Sequence, residues 1–294
     1  MIVVSGSANK PFAEELAERI DADYVETKIE HFPDGELHIT VPKCAREAIV
    51  VQSMAFRPNE YFMELLFICD ALRRDGCKKI IAVIPYLAYA RQDMEFHKGE
   101  EVSFQAVSHL MEIYCDSLIT VDAHLHRIKN IKFIASKAKN TSAMPIIGEY
   151  LKEKYNLNKP VVIGPDEESE QWAKQIAEVL SCDYDVFKKT RHSATKVEIK
   201  PKERDLNGRD VVVIDDIVST GGTMAQAVEI AKKEGAEKVL SVCTHGLFVD
   251  DALRKITRAG ADEVLSTNTV QNKTAKIDVV GAVADILNNR LKLP

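Results

Sequence analysis

The sequence predicts an α/β protein made of two tandem doubly wound domains, each built on a mainly parallel sheet. Three observations point there. Short, apolar, β-branched runs alternate with amphipathic stretches from end to end, and runs that are apolar throughout suit strands covered on both faces. The strand–helix–strand pattern occurs twice, over roughly 1–142 and 143–294, as consecutive βαβ units would give. The length of 294 residues, 46% of them hydrophobic, fits two cores of about 150 residues better than one, because single cores stop growing near 250–300.

The expected strands are Ile2–Val4, Ile49–Val51, Lys79–Ile84, Ser117–Val121, Pro160–Gly164, Val211–Ile214, Lys238–Cys243 and Glu263–Ser266. Helical periodicity runs through Phe12–Arg19, Asn59–Arg74, Phe104–Tyr114, Gln171–Leu180, Met224–Lys233 and Asp250–Arg258. The polar stretch Lys137–Pro145, with Asn140-Thr141-Ser142 inside it, marks the domain boundary. Around Lys188–Lys202 the chain turns basic, interrupted by a short alternating stretch at Thr195–Ile199. That segment reads as an exposed hairpin or mobile loop.

A net charge of −6 speaks against a general nucleic-acid binder or an anionic-membrane binder, since neither accumulates near such a surface. It leaves room for anionic substrates held in a local positive pocket. The cysteines Cys44, Cys69, Cys77, Cys115, Cys182 and Cys243 form no C-x-x-C pair and read as buried thiols of a reducing compartment. No apolar run approaches the ~20 residues a membrane span needs. No signal-peptide pattern precedes the first strand. The expected location is the cytoplasm, with no nucleic-acid or membrane partner.

The most informative stretch is Val211 to Met224, V-V-V-I-D-D-I-V-S-T-G-G-T-M. A buried strand ends in Asp215 and Asp216, and the turn Ser219-Thr220-Gly221-Gly222-Thr223 leads into a helix. Glycines let a backbone approach a ligand closely, and a helix N-terminus favours an anion by about 0.3–1 kcal/mol. Two acids beside a phosphate seat make sense where a neutral polyol carries the phosphate and offers hydroxyls to the carboxylates. The plainer reading is an acidic strand end before a Thr-capped helix. No G-x-x-x-x-G-K-[ST] loop or G-x-G-x-x-G turn occurs, which argues against an ordinary nucleotide kinase or dinucleotide dehydrogenase.

This turn resembles the phosphoribosyl-diphosphate binding fold, shared by phosphoribosyltransferases and ribose-phosphate pyrophosphokinases. The resemblance makes both domains phosphoribosyltransferase-like, with the ATP loops in the first and the sugar-phosphate turn in the second. Four further motifs resemble the pyrophosphokinases specifically. His31-Phe32-Pro33-Asp34-Gly35-Glu36, locally a Pro-Asp-Gly turn, resembles their F-P-D-G-E loop. The resemblance implies that Phe32 stacks on adenine while Asp34 and Glu36 bond its amino edge, in a neighbouring subunit's ATP site, so that the protein is a homo-oligomer. Pro85 to Asp93 resembles P-Y-x-x-Y-A-R-Q-D, with Arg91 and Gln92 on ATP and Asp93 ordering the loop.

Val121-Asp122-Ala123-His124 resembles V-D-x-H and implies Mg²⁺ coordination by His124 on the ATP phosphates, with Asp122 farther out and His126 at the surface. Asp166, after Pro165, is by resemblance a second metal contact. Lys189 and Arg191 resemble the catalytic K-x-R element, whose cations would stabilise charge on the transferred group. The chain departs from the common family pattern at Glu167 to Glu170 and at Ala135 and Lys139. The resemblance implies transfer of the β,γ-diphosphoryl group of ATP to the C1 hydroxyl of ribose 5-phosphate, with Asp215, Asp216, Ser219, Thr220, Gly221, Gly222 and Thr223 on the sugar phosphate. Other readings are a catalytically silent regulatory relative and a phosphoribosyltransferase.

Overall fold

The computed structural model describes residues 1–124, 138–191, 197–201 and 205–291, with the side chains of 188–191, 197–201, 290 and 291 left aside. The chain forms two compact units: Met1–Ser142 with Thr269–Gln271 and the segment from Val279, and Ala143–Asn268 with Asn272–Asp278.

Unit 1 opens with β1 (Ile2–Ser5), α1 (Lys10–Arg19), β2 (Asp23–Glu26), β3 (Lys28–His31), β4 (Leu37–Thr40) and β5 (Glu47–Val51). It continues through α2 (Pro58–Arg74), β6 (Lys79–Ile84), α3 (Ser103–Tyr114), β7 (Ser117–Val121) and β8 (Ala138–Thr141). The strands run in the order β2-β1-β5-β6-β7-β8, every neighbouring pair parallel. Central β1, β6 and β7 are almost wholly apolar and buried, which is why their runs were legible. β3 and β4 form a separate antiparallel hairpin, pairing Lys28 with Thr40 through His31 with Leu37.

Unit 2 follows with α4 (Met144–Lys154), β9 (Val161–Gly164), α5 (Glu170–Leu180), β10 (Asp183–Arg191) and β11 (Val197–Pro201). Then come β12 (Asp210–Val218), α6 (Gly222–Lys233), β13 (Lys238–Gly246), α7 (Ala252–Arg258), β14 (Glu263–Thr267) and β15 (Ala275–Ile277). Its sheet runs β11-β10-β9-β12-β13-β14-β15. Only the β10–β11 pair is antiparallel, so the basic segment is a hairpin. The core between sheet and helices gathers Val161, Val213, Met224, Val228, Val239 and Ile256, each at most 1% exposed. The last helix, α8 (Val280–Leu291), belongs to unit 1, where a Cβ on Gly281 would lie 2.8 Å from Arg19 Nη1.

The polar stretch at 137–145 is not irregular throughout: β8 occupies Ala138–Thr141, and α4 begins at Met144 with Pro145 in its first turn, where a missing N–H costs nothing. β2, β8 and β15 escaped the sequence pattern because all three are three or four residues long and partly polar. They close the sheets or lie at their edges.

A parallel sheet opens a crevice where consecutive connections leave in opposite directions. In unit 1 that place lies between β1 and β5, and the chain fills it. Glu64 of α2, 1% exposed, accepts from the Ser7 N–H at 3.0 Å, from Ser7 Oγ at 2.7 Å and from Gln52 Nε2 at 2.6 Å. Gln52 Oε1 in turn accepts from the Ala8 N–H at 3.1 Å, and a Cβ on Gly6 would collide with the Gln52 amide.

Candidate active site

The equivalent place in unit 2 lies between β9 and β12, which pair through Val161–Val211 to Ile163–Val213. Asp166 follows β9 here, and Asp215, Asp216 and the 219–223 turn come from the end of β12. Asp216 is 2% exposed, and its N–H donates to Asp215 Oδ1 at 2.9 Å. Burial first, then the negative charges of Asp216 and Asp166, hold the Asp215 carboxyl well above the usual carboxylate range. The Cys243 thiol, beside Asp215 in the register, is pushed up by burial and by the charges of Asp215 and Asp216.

Gly221 sits at φ 72°, ahead of α6, in the left-handed region that L side chains avoid. A Cβ there would come within 3.0–3.1 Å of the Ala252 Cβ, Cα and carbonyl oxygen, whereas one on Gly222 would meet nothing within 4 Å. Gly221→Ala should therefore cost about 2 kcal/mol and lower the melting temperature by about 5 °C, with Gly222→Ala nearly neutral. Thermal melts of the two variants side by side check this. Thr220, Gly222 and Thr223 are exposed, so the turn faces solvent on its open side.

Asp166 is held by a residue that the motif search missed. Ser169 donates its N–H to Asp166 Oδ1 at 3.1 Å and its hydroxyl to the Asp166 carbonyl at 2.6 Å. Ser169 stands in the segment that departs from the family pattern; its signal was a serine just before a helix, the ordinary place for a cap. Among the described residues no three His, Cys, Asp or Glu side chains converge as an enclosing metal site. Asp166 still offers a hard carboxylate oxygen, the donor type that suits a divalent cation keeping waters and substrate oxygens as most of its ligands.

In unit 1, Pro85 to Asp93 leaves the end of β6 and Asp122 to His124 leaves the end of the adjacent β7. Two non-glycine residues take positive φ there, Tyr89 at 67° and Asp122 at 35°, the kind of backbone strain found at functional sites. Asp122 N–H donates to the Thr141 carbonyl at 2.8 Å, and Ala123 N–H to Asn140 Oδ1 at 3.0 Å. The Tyr89 hydroxyl bonds Asn59 of α2. Arg91 is exposed, while the Gln92 amide donates to the carbonyls of Met94 at 3.2 Å and Glu101 at 3.3 Å, so Gln92 shapes the loop that follows.

The β3–β4 turn carries Phe32, Asp34 and Glu36. Phe32 N–H donates to the Glu36 carbonyl at 2.8 Å, Gly35 takes φ 96°, and the Glu36 N–H donates to Asp34 Oδ1 at 3.2 Å. The Phe32 ring, 49% exposed, tilts against His38 with centroids 5.3 Å apart. Lys189 and Arg191 lie on β10 opposite Ile199 and Val197; their side chains, and His126 and Ala135, fall outside the described residues.

A mainly parallel sheet whose switch point carries an acidic pair and a glycine turn opening onto a helix defines an open, doubly wound α/β protein of the ligand-binding kind. Residues 130–280 match the phosphoribosyl transferase domain, and residues 1–114 match the N-terminal domain of ribose phosphate pyrophosphokinase. The ribose-phosphate pyrophosphokinase of Methanopyrus kandleri is 38% identical, over 98% of this chain and 99% of its own. That of Thermococcus kodakarensis is 40% identical, over 94% and 96%. The crystal structure of the phosphoribosylpyrophosphate synthetase from Mycobacterium smegmatis superposes with a TM-score of 0.88 at 26% identity, covering 99% of this chain and 98% of that one. The chain belongs to the ribose-phosphate pyrophosphokinase family, a family of enzymes.

Proposed function

We propose that this chain transfers the β,γ-diphosphoryl group of ATP to the C1 hydroxyl of ribose 5-phosphate, releasing AMP and giving phosphoribosyl diphosphate for nucleotide biosynthesis. The observation that carries the reading is the full-length kinship to pyrophosphokinases combined with the open turn at the switch point of unit 2. In this reading the first domain, 1–142, supplies the ATP loops and subunit contacts, and the second, 143–294, the sugar-phosphate turn and catalytic hairpin.

The backbone N–H groups and hydroxyls of Ser219, Thr220, Gly221, Gly222 and Thr223 hold the 5-phosphate at the start of α6. Asp215 and Asp216 accept from the ribose hydroxyls and orient C1. Phe32, Asp34 and Glu36, from a neighbouring subunit of a homo-oligomer, bind adenine; the half-exposed Phe32 ring on a rigid turn supports this. Arg91 and Gln92 contact ATP, with Asp93 ordering their loop. The C1 oxygen attacks the β-phosphorus as the bond to the AMP oxygen breaks, and Lys189 and Arg191 stabilise the charge on the transferred group. No protein nucleophile is required, since positioning and charge stabilisation suffice for this chemistry. His124 and Asp166 would hold Mg²⁺, which would supply neutralisation of the triphosphate charge.

Among the described residues no helix is long and apolar enough to cross a membrane; the proposed place of work is the cytoplasm. The test is incubation with ATP, Mg²⁺ and ribose 5-phosphate, with products followed by phosphorus NMR. AMP and phosphoribosyl diphosphate are expected in equal amounts, only when metal and sugar phosphate are both present. No turnover across several metal and phosphate conditions would overturn the reading in favour of a silent regulatory relative.

A further inference from the structure

Three successive carbonyls of the glycine turn point to one side. The Val218 carbonyl accepts from the N–H groups of Leu247 and Phe248, each at 3.0 Å, and the Ser219 carbonyl accepts from Val249 N–H at 3.1 Å. The Thr220 carbonyl accepts from Lys255 Nζ of α7 at 3.3 Å. All of these peptides are trans, so each C=O and the N–H of the following residue point in opposite directions. Drawing the oxygens of 218, 219 and 220 toward the 247–255 segment therefore turns the N–H groups of Ser219, Thr220 and Gly221 the other way. Among the described residues no acceptor takes the N–H of Thr220 or Gly221.

The 247–255 segment is itself fixed. Phe248 and Asp250 hold positive φ, at 42° and 54°. Asn272 Nδ2 donates to the Gly246 carbonyl at 2.9 Å, and Asn272 Oδ1 accepts from Thr274 Oγ1 at 2.6 Å. Ala252 fills the space under Gly221. Among the described residues, Lys255 is the single side chain that donates to these three carbonyls. It holds the last peptide before the helix, where the N–H of Gly221 meets the helix N-terminus.

We infer that Lys255 is a positioning residue for the anion seat: it holds the Thr220–Gly221 peptide with its N–H turned toward the 5-phosphate. This rests on the proposed function, in which the 219–223 turn binds that phosphate. Lys255 acts on the turn and not on the reacting atoms, so its loss falls on one substrate alone. The ammonium–carbonyl bond, 3.3 Å long and exposed, is the side-chain hold on this peptide. Its loss frees the peptide to turn over and present an oxygen to the anion.

The experiment is steady-state kinetics on the full-length enzyme for Lys255→Ala, Lys255→Arg and, as a control within the turn, Thr223→Val. Lys255→Ala should raise the half-saturating ribose 5-phosphate concentration about tenfold, with kcat and the half-saturation for ATP each within about twofold of the parent. Lys255→Arg, whose side chain also reaches the carbonyl, should restore most of the affinity. If Thr223→Val weakens ribose 5-phosphate binding and Lys255→Ala does not, the positioning role is wrong and the phosphate seat stands. If neither variant changes it, the phosphate seat is wrong and the inference falls with it. A Lys255→Ala enzyme impaired equally toward both substrates would overturn the positioning role in favour of general support of the fold.

Discussion

Replacing Lys189 by alanine should lower turnover about a thousandfold while leaving the half-saturation for ribose 5-phosphate within about threefold. The split follows from where the two tasks lie. The sugar phosphate is assigned to the turn after β12 and to Asp215 and Asp216, none of which belongs to the β10–β11 hairpin. Lys189 and Arg191 are two residues apart on β10. Two cations so close in the sequence suit a diphosphoryl group that gathers charge on its oxygens during transfer, and much less the binding of a neutral ribose ring. The check is kcat and half-saturation measured for both substrates. Turnover at the parent rate would remove Lys189 from the mechanism. A matching loss of ribose 5-phosphate affinity would make it a binding residue instead.

Asp215→Asn should make the protein inactive and more stable together. Activity should fall by about a hundredfold or more, because an amide is a poorer acceptor for ribose hydroxyls than a carboxylate. Stability should move the other way, because burial and the Asp216 and Asp166 carboxylates oppose the charged form of Asp215. The sign follows from linkage. An acid whose native pKa lies above its ordinary value supports the fold while protonated, fully so below the ordinary value. That support fades as pH rises through the raised native value. The unliganded parent should thus lose stability as pH climbs from the acid range, and the asparagine variant should lose less. Melting temperatures should differ by about 3 °C in favour of the variant at pH 8, with the gap closing toward pH 4. Equal melting temperatures at every pH would show that the aspartate cluster carries no such strain.

The parts of this protein legible in its sequence are those where local chemistry and global fold demand the same residues. Central strands such as Lys79–Ile84 and Ser117–Val121 are read directly because burial on both faces forces continuous apolar runs. The glycine turn was legible because Gly221 meets two demands at once, a positive φ and the close approach of Ala252. Edge strands such as Ala138–Thr141 were not, since half their surface is free of the core and any polar residue serves there. The supports of the site were equally hidden. Ser169 holds Asp166 across a turn that looked only like a departure from a motif. Lys255 reaches its carbonyl from 35 positions away, a separation at which no periodicity leaves a trace.

The filled crevice of unit 1 changes how the two halves should be compared. Glu64 presents a carboxylate at the carboxyl end of β1, where the Ser7 N–H and hydroxyl converge on it. That is the coordination a small oxyanion would receive in the corresponding place of the other half. The first half thus carries a tethered internal counterpart of the ligand, joined to the chain through α2 and present at an effective concentration no diffusing metabolite can match. Two similar scaffolds have in this way become unequal: at the switch point of one the chain's own acid takes up the N–H and hydroxyl donors, while the other carries aspartates and a glycine turn there.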